Sequence, residues 1–76
     1  MVLTGHISNK EDVIRVNTIA SDMNFDVFVH SMDGNSKFDA KSFVCLFTLI
    51  GQDVKIVVDD NIDYKYFKKM VKKMGI

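Results

Sequence analysis

The sequence predicts an α+β two-layer sandwich, an open sheet with helices packed on one of its faces. Three observations support this fold class. Strand-like and helical patterns follow one another in the order β-α-β-β-α-β-α. An Asp-Gly pair at 33–34 separates two strand-like segments, as in a hairpin. The chain has 76 residues and no proline or repeat, so we expect one domain over 1–76 with a single core.

The first helix follows a short candidate strand, MVLT at 1–4. Two residue pairs have the spacing of a helix capping box, Ser8 with Glu11 and, one position later, Asn9 with Asp12. An apolar stripe at helical spacing then predicts a helix over about 10–23. Its core side is Val13, Val16, Ala20 and Met23, widened by Ile14 and Ile19.

A hairpin is predicted next. Residues 25–31, FDVFVHS, alternate and are rich in Val and Phe, which is typical of a strand. The turn at Asp33-Gly34 then returns SKFDA, residues 36–40, as an antiparallel partner. His30 lies in the middle of the first of these strands, and we expect it to face solvent.

A short apolar helix is predicted after Ser42, which we expect to cap it by accepting an early N–H. Seven of the eight residues of FVCLFTLI, 43–50, are apolar, and Gly51 stands where a C-cap glycine would. We expect Cys45 to be buried here, as free cysteines usually are. One helical stripe facing the core would contain Phe43, Leu46, Phe47 and Ile50. Val44 and Leu49 lie off that stripe.

The chain closes with a strand and a helix. VKIVV at 54–58 is the strand, and the acids Asp59, Asp60 and Asp63 precede the helix. Its core stripe is Phe67, Met70, Val71 and Met74. Residues 64–76 hold five lysines and no acid, whereas residues 1–63 hold five basic and ten acidic side chains. The local charges are therefore +5 and −5, and a solvated lysine face is the simplest explanation.

Composition restricts the function classes. The chain is 47% apolar and 26% charged with zero formal net charge, so no whole-molecule field favours nucleic acid, and we expect no such partner. A single cysteine excludes an internal disulfide and suits a reducing cytoplasm. We see no signal peptide and no segment long enough for membrane insertion. We therefore expect a cytoplasmic protein.

No catalytic or cofactor motif is visible. Two isolated histidines and one cysteine lack metal-ligand spacing. There is neither a catalytic triad nor a glycine-rich phosphate loop. We expect no enzyme activity, no metal and no cofactor.

One segment resembles a known family. FDAKSFVCLFTL, residues 38–49, is similar to the segment V-D-A-K-S-I-x-x-L-x-S-L around the regulatory serine of HPr, the histidine-containing phosphocarrier of the bacterial sugar phosphotransferase system. The matching positions are Asp39, Ala40, Lys41, Ser42, Leu46 and Leu49. Element order and length agree loosely over the whole chain. The resemblance implies an HPr-like open-faced β-sandwich, a four-stranded antiparallel sheet with three helices on one face.

The active site of that family is degenerate in this sequence. HPr proteins carry G-[IL]-H-A-R-P-A at the first helix, and an ungapped count back from Asp26 places Asn9 at the phosphorylated histidine. Glu11 then falls at the arginine and Asp12 at the proline. An amide cannot replace imidazole as nucleophile, and two carboxylates would repel the phosphoryl group that a helix N-terminus attracts. His6 is the one candidate for a displaced phosphocarrier histidine.

Two further features follow from the resemblance. In Gram-positive relatives the serine that matches Ser42 is phosphorylated by a dedicated kinase, and the product binds a catabolite-control repressor. Lys41 would favour a phosphate there and Asp39 would oppose it. HPr proteins also dock their partners through apolar residues of the first two helices. The candidate docking residues are Phe43, Val44, Phe47 and Leu49.

Three functions remain open at this stage. The first is a non-catalytic, HPr-like regulatory or protein-binding module for phosphotransferase enzymes or a catabolite-control repressor, as monomer or weak dimer. Catabolite-repression HPr homologues, which lack the active histidine but keep the serine, are its precedent. The second is a working phosphocarrier that uses His6. The third is an unrelated α+β domain that binds an acidic partner through its lysine-rich last helix.

Overall fold

A computed structural model describes residues 1–76 and contains four strands and three helices. None of the helices has the length and apolar character needed to cross a bilayer. The elements are β1 (Val2–Ile7), α1 (Lys10–Ser21), β2 (Phe28–Ser31), β3 (Lys37–Asp39), α2 (Phe43–Leu46) with a following 3₁₀ turn (Phe47–Leu49), β4 (Gln52–Val57) and α3 (Tyr64–Met74). This is the predicted order.

The four strands form one antiparallel sheet in the order β1-β4-β2-β3. β4 lies between β1 and β2, so that Gly5 pairs with Val54 and Val29 pairs with Ile56. The side chains alternate between two faces. One face packs against the three helices and the other, which we call the open face, carries polar and charged residues such as Lys55. The predicted open-faced α+β architecture is confirmed.

The core lies between the sheet and the helices. From the sheet it takes Ile7, Val29, Val54 and Ile56, and from α1 and α3 it takes Val13, Val16, Ala20, Phe67, Met70 and Met74. The central residues of the apolar stripes predicted for α1 and α3 are thus confirmed as core residues. Ile14 is the exception, because it is 43% exposed rather than part of the core. It is turned about 100° from Val13 around the helix, beyond the buried stripe.

The two long helices begin at side-chain caps. The Oδ1 atom of Asn9 accepts the N–H of Asp12 at 3.0 Å, so the second of the two predicted cap pairs is the one that forms. Asp63 caps α3 by accepting the N–H of Lys65 at 3.4 Å. Gly75 ends α3 in the left-handed region, with φ of 69°.

The segment after Ser42 departs from the predicted regular helix. Only Phe43–Leu46 is α-helical, and the chain then tightens into the 3₁₀ turn. Side chains three residues apart eclipse one another in a 3₁₀ turn, so Leu49 follows Leu46 into the core. Leu49 is 2% exposed, whereas Phe43 and Ile50 are 39% and 37% exposed, so the predicted orientation is wrong for all three residues. Gly51 takes a φ of 87° and ends the segment as predicted.

Two smaller predictions about this segment are also wrong. Cys45 is exposed rather than buried, because Leu46 and Leu49 take the inward positions of the short segment. Ser42 occupies the N-cap position, but its hydroxyl makes no capping hydrogen bond. Its backbone instead closes a turn, since the Ser42 N–H donates to the carbonyl of Asp39 at 2.9 Å.

Candidate functional site

A group of apolar side chains is exposed on α2 and on the adjoining flank of α1. We call it the α2 surface: it consists of the exposed side chains of Ile14, Phe43, Val44 and Ile50 and of Phe47, which is half-buried and also packs against the core. Val44 is 78% exposed, and the rings of Phe43 and Phe47 meet edge to face with centroids 5.0 Å apart. Apolar groups that cluster on a small domain in this way mark an interaction site.

Ile14 belongs to this surface through the orientation of α1. Asn17, one turn further along the same flank, donates from Nδ2 to the carbonyl of Ala40 at 3.1 Å. This flank therefore faces the segment that leads into α2. The 43% exposed side chain of Ile14 extends the apolar surface onto α1.

The short length of α2 keeps these side chains outside. Leu46 and Leu49 take the two fully inward positions and Phe47 packs partly against the core, so Phe43, Val44 and Ile50 remain exposed. The turn is fixed by polar contacts: the Thr48 hydroxyl donates to the carbonyl of Cys45 at 2.8 Å, and Gln52 Nε2 donates to the carbonyl of Thr48 at 3.2 Å. The surface is thus presented by an ordered backbone.

The structure brings together three of the four predicted docking residues. Phe43, Val44 and Phe47 lie on the α2 surface, whereas Leu49 is in the core. Sequence reasoning missed Ile14 and Ile50 as surface residues. Ile50 directly precedes the positive-φ Gly51, and a chain reversal at that point was the available signal that the stripe ends early.

The start of α1 carries a second, polar arrangement. The carboxylate of Asp12, 8% exposed, accepts the N–H of Ser8 at 2.8 Å through Oδ2. Its Oδ1 accepts a short hydrogen bond from Nη2 of Arg15. Arg15 also donates from Nε to the carbonyl of Met74 at 2.7 Å, which ties α1 to the end of α3.

This arrangement engages some of the polar groups that a phosphate could bind at the start of α1. The N–H of Asp12 is taken by Asn9, and that of Ser8 by Asp12 itself. The guanidinium of Arg15 already donates from Nε to Met74 and from Nη2 to Asp12. Glu11 adds an exposed carboxylate in the same first turn. Two negative charges here oppose a phosphoryl dianion.

His6 lies on the other side of the sheet. Ile7, its neighbour in β1, points into the core, so His6 points to the open face. There its Nδ1 is 2.8 Å from Oδ1 of Asp53, the residue that it pairs with in β4. The histidine ring is therefore separated from the first-turn N–H groups of α1 by the sheet itself.

The remaining candidate residues are dispersed. Ser42 is exposed at the start of α2, with the Lys41 Nζ turned away to the carbonyl of Met23 at 3.2 Å. His30 lies half-buried on the open face of β2. No group of three or more His, Cys, Asp and Glu side chains has the spacing to hold a metal ion.

Comparison with known proteins identifies the architecture. No protein-family model matches the chain, and no characterised protein matches it by sequence. Its fold is similar to that in the crystal structure of HPr-C-His from Thermoanaerobacter tengcongensis, with a TM-score of 0.71 and 23% sequence identity over 100% of this chain and 97% of that one. The chain has the HPr fold. At that identity the likeness establishes the HPr fold alone, and function has to be argued from the site.

Proposed function

We propose that this HPr-fold chain is a non-catalytic module that binds protein partners through the α2 surface and acts in regulation. The observation that carries the proposal is the pairing of an exposed apolar α2 surface with an α1 start that its own Asp12 carboxylate occupies. In this proposal the α2 surface binds the partner, and Asn9, Glu11 and Asp12 replace the residues that would carry a phosphoryl group on histidine.

The proposed loss of chemistry rests on three positions. Asn9 is used as a helix cap and has no nucleophilic nitrogen. Asp12 is part of a salt bridge with Arg15, so that guanidinium is committed to an internal carboxylate. His6 has an imidazole, but on the open face beside Asp53, where no helix N–H group reaches it. These observations favour docking over a displaced phosphocarrier.

The proposed partners are enzymes of the phosphotransferase system or a catabolite-control repressor, in the cytoplasm. The likeness of residues 38–49 to the HPr segment and the shared fold support this choice. Phosphorylation at Ser42 remains part of the proposal, because its hydroxyl is exposed and makes no cap bond. The proposed oligomeric state is a monomer or a weak dimer.

Calorimetric titration tests this function, with unphosphorylated enzyme I for the native chain and with the catabolite-control repressor for the chain phosphorylated at Ser42. We expect one of them to bind, and Val44→Ser to weaken that binding because an apolar contact is lost. Val2→Ser is the matched control: it is the same substitution at a 52% exposed valine, but on the open face of β1. Failure of both proteins to bind, or equal weakening by the two variants, would refute the proposal.

A further inference from the structure

The solvent side of α3 carries a concentrated positive charge. We call it the lysine face: Lys65, Lys68, Lys69, Lys72 and Lys73. All five side chains are exposed, and residues 64–76 contain no acid. The net charge of the chain is zero because the acids that balance these lysines lie in residues 1–63. Positive and negative charge are therefore separated along the chain. A local field of this kind attracts polyanions whatever the charge of the whole molecule.

A cleft between α1 and α3 adjoins the lysine face. Its volume is about 90 Å³, and it is lined by Ile19, Met23, Tyr66, Lys69, Met70 and Lys73. The floor is apolar and two lysines form its rim. Tyr66 forms one wall, with its ring 48% exposed and its hydroxyl directed to the sulfur of Met23 at 3.3 Å. The cleft could receive a flat apolar group of a ligand, while Lys69 and Lys73 contact anionic groups of the same ligand.

We infer that the lysine face and this cleft bind single-stranded nucleic acid, an activity beyond the proposed protein docking. Lysines neutralise the phosphates, and one base stacks on Tyr66 in the cleft. Lysine presents a point charge without the planar fork of arginine, so the binding has little sequence preference.

The other anionic partners fit these features less well. A membrane would need apolar side chains of α3 to insert, but Phe67, Met70 and Met74 are at most 3% exposed and belong to the core. An acidic peptide would satisfy the lysines and leave the apolar cleft unfilled. A nucleic acid strand alternates anionic groups with flat rings, which matches both features together.

Fluorescence anisotropy with a labelled single-stranded oligonucleotide of about ten nucleotides tests the inference. The binding constant is measured as a function of salt. If five lysines each neutralise a phosphate, log K falls with log salt at a slope of about −3.5. Lys69→Gln with Lys72→Gln should reduce the slope to about −2. Lys10→Gln with Lys37→Gln removes the same charge elsewhere and should leave the slope unchanged.

The cleft is tested with Tyr66. Tyr66→Leu should lower the affinity at least about fivefold without changing the salt slope, because a stacked ring is lost and no charge is. Tyr66→Phe keeps the ring and should bind like the native chain, and thermal melting shows that both variants fold. The inference is overturned by absence of binding at low salt, by equal effects of the two lysine pairs, or by an unaffected Tyr66→Leu. Equal competition by oligoglutamate, or lysine-dependent binding to phosphatidylserine vesicles without oligonucleotide binding, also overturns it.

Discussion

The carboxylate of Asp12 accepts the backbone N–H of Ser8 at 2.8 Å, so the chain supplies its own anion at the start of α1. A helix N-terminus favours a negative charge, and in this molecule that charge is the side-chain carboxylate of Asp12. The same carboxylate holds Arg15, which reaches the carbonyl of Met74. Through Arg15, Asp12 therefore also joins the first helix to the last.

Removal of this anion should destabilise the fold. Asp12→Ala leaves the Ser8 N–H without its acceptor and Arg15 without its carboxylate partner, which should cost about 1–3 kcal/mol of unfolding free energy. Urea denaturation measures the change. Glu11→Ala is the matched control, an exposed acid in the same helical turn, and should change stability by about 0.5 kcal/mol or less. Equal costs would mean that Asp12 acts only through its charge near the helix end.

The second prediction concerns phosphate on histidine. Incubation with phosphoenolpyruvate and enzyme I should give no acid-labile increase in mass, because Asn9 cannot accept the phosphoryl group and His6 lies on the open face. Asn9→His with Glu11→Arg restores a nucleophile and a cation, and should show partial labelling. Labelling of the native chain that disappears in His6→Gln would show that His6 is a working phosphoryl acceptor.

The third prediction separates surface from core within one short segment. Val44→Ser should leave the stability within about 0.5 kcal/mol, because Val44 is 78% exposed. Leu49→Ala should cost about 2–5 kcal/mol, because its side chain is buried between the 3₁₀ turn and the core. Thermal melting of the two variants measures the difference. A Val44→Ser variant as unstable as Leu49→Ala would mean that the α2 surface is core.

The fourth prediction is a pH dependence of stability from His30. Burial, with the charges of Lys37 and Lys55 in addition, lowers the pKa of His30 from its usual value near 6.5. The unfolded chain therefore binds this proton more readily, so the contribution of His30 to stability is complete above pH 6.5 and is lost as the pH falls through the folded-state pKa.

Melting temperatures measured between about pH 5.5 and 7 check this sign. The native chain should lose stability towards the acid end of that range, and His30→Gln should lose less. A His30→Gln variant with the native slope would assign the dependence to another group.

The parts of the fold that sequence predicts are those with long, regular patterns. α1 buries Val13, Val16 and Ala20, and α3 buries Phe67, Met70 and Met74. In both helices the buried residues recur three or four positions apart, so the sequence itself shows the helical period. β1 extends beyond the predicted MVLT to Ile7 because residues 5–7 continue the pairing with β4. Gly5 has no side chain, and Ile76 packs over it. A Cβ on Gly5 would lie 2.8 Å from Cγ1 of Ile76. This contact joins residues near the two ends of the chain, so no local sequence pattern predicts it.

The candidate site was predictable in kind but not in detail. An excess of apolar residues after Ser42 indicated a surface, since one short helix cannot bury them all. The chain switches from an α-helix to a 3₁₀ turn at Phe47, and this switch decides which side chains face outward. No residue type within the segment predicts the switch. The Asp12–Arg15–Met74 contact likewise depends on how α3 docks, and so it lay beyond sequence reasoning.

Docking through the α2 surface is tested most directly by a nuclear magnetic resonance titration of the ¹⁵N-labelled chain with unphosphorylated enzyme I, and of the chain phosphorylated at Ser42 with the catabolite-control repressor. Amide shifts locate a docking surface residue by residue. We expect one of the two proteins to shift the amides of Ile14 and of residues 43–50, with the open face, including His6 and Lys55, unaffected. Shifts confined to the open face, or none with either protein, would contradict docking through the α2 surface.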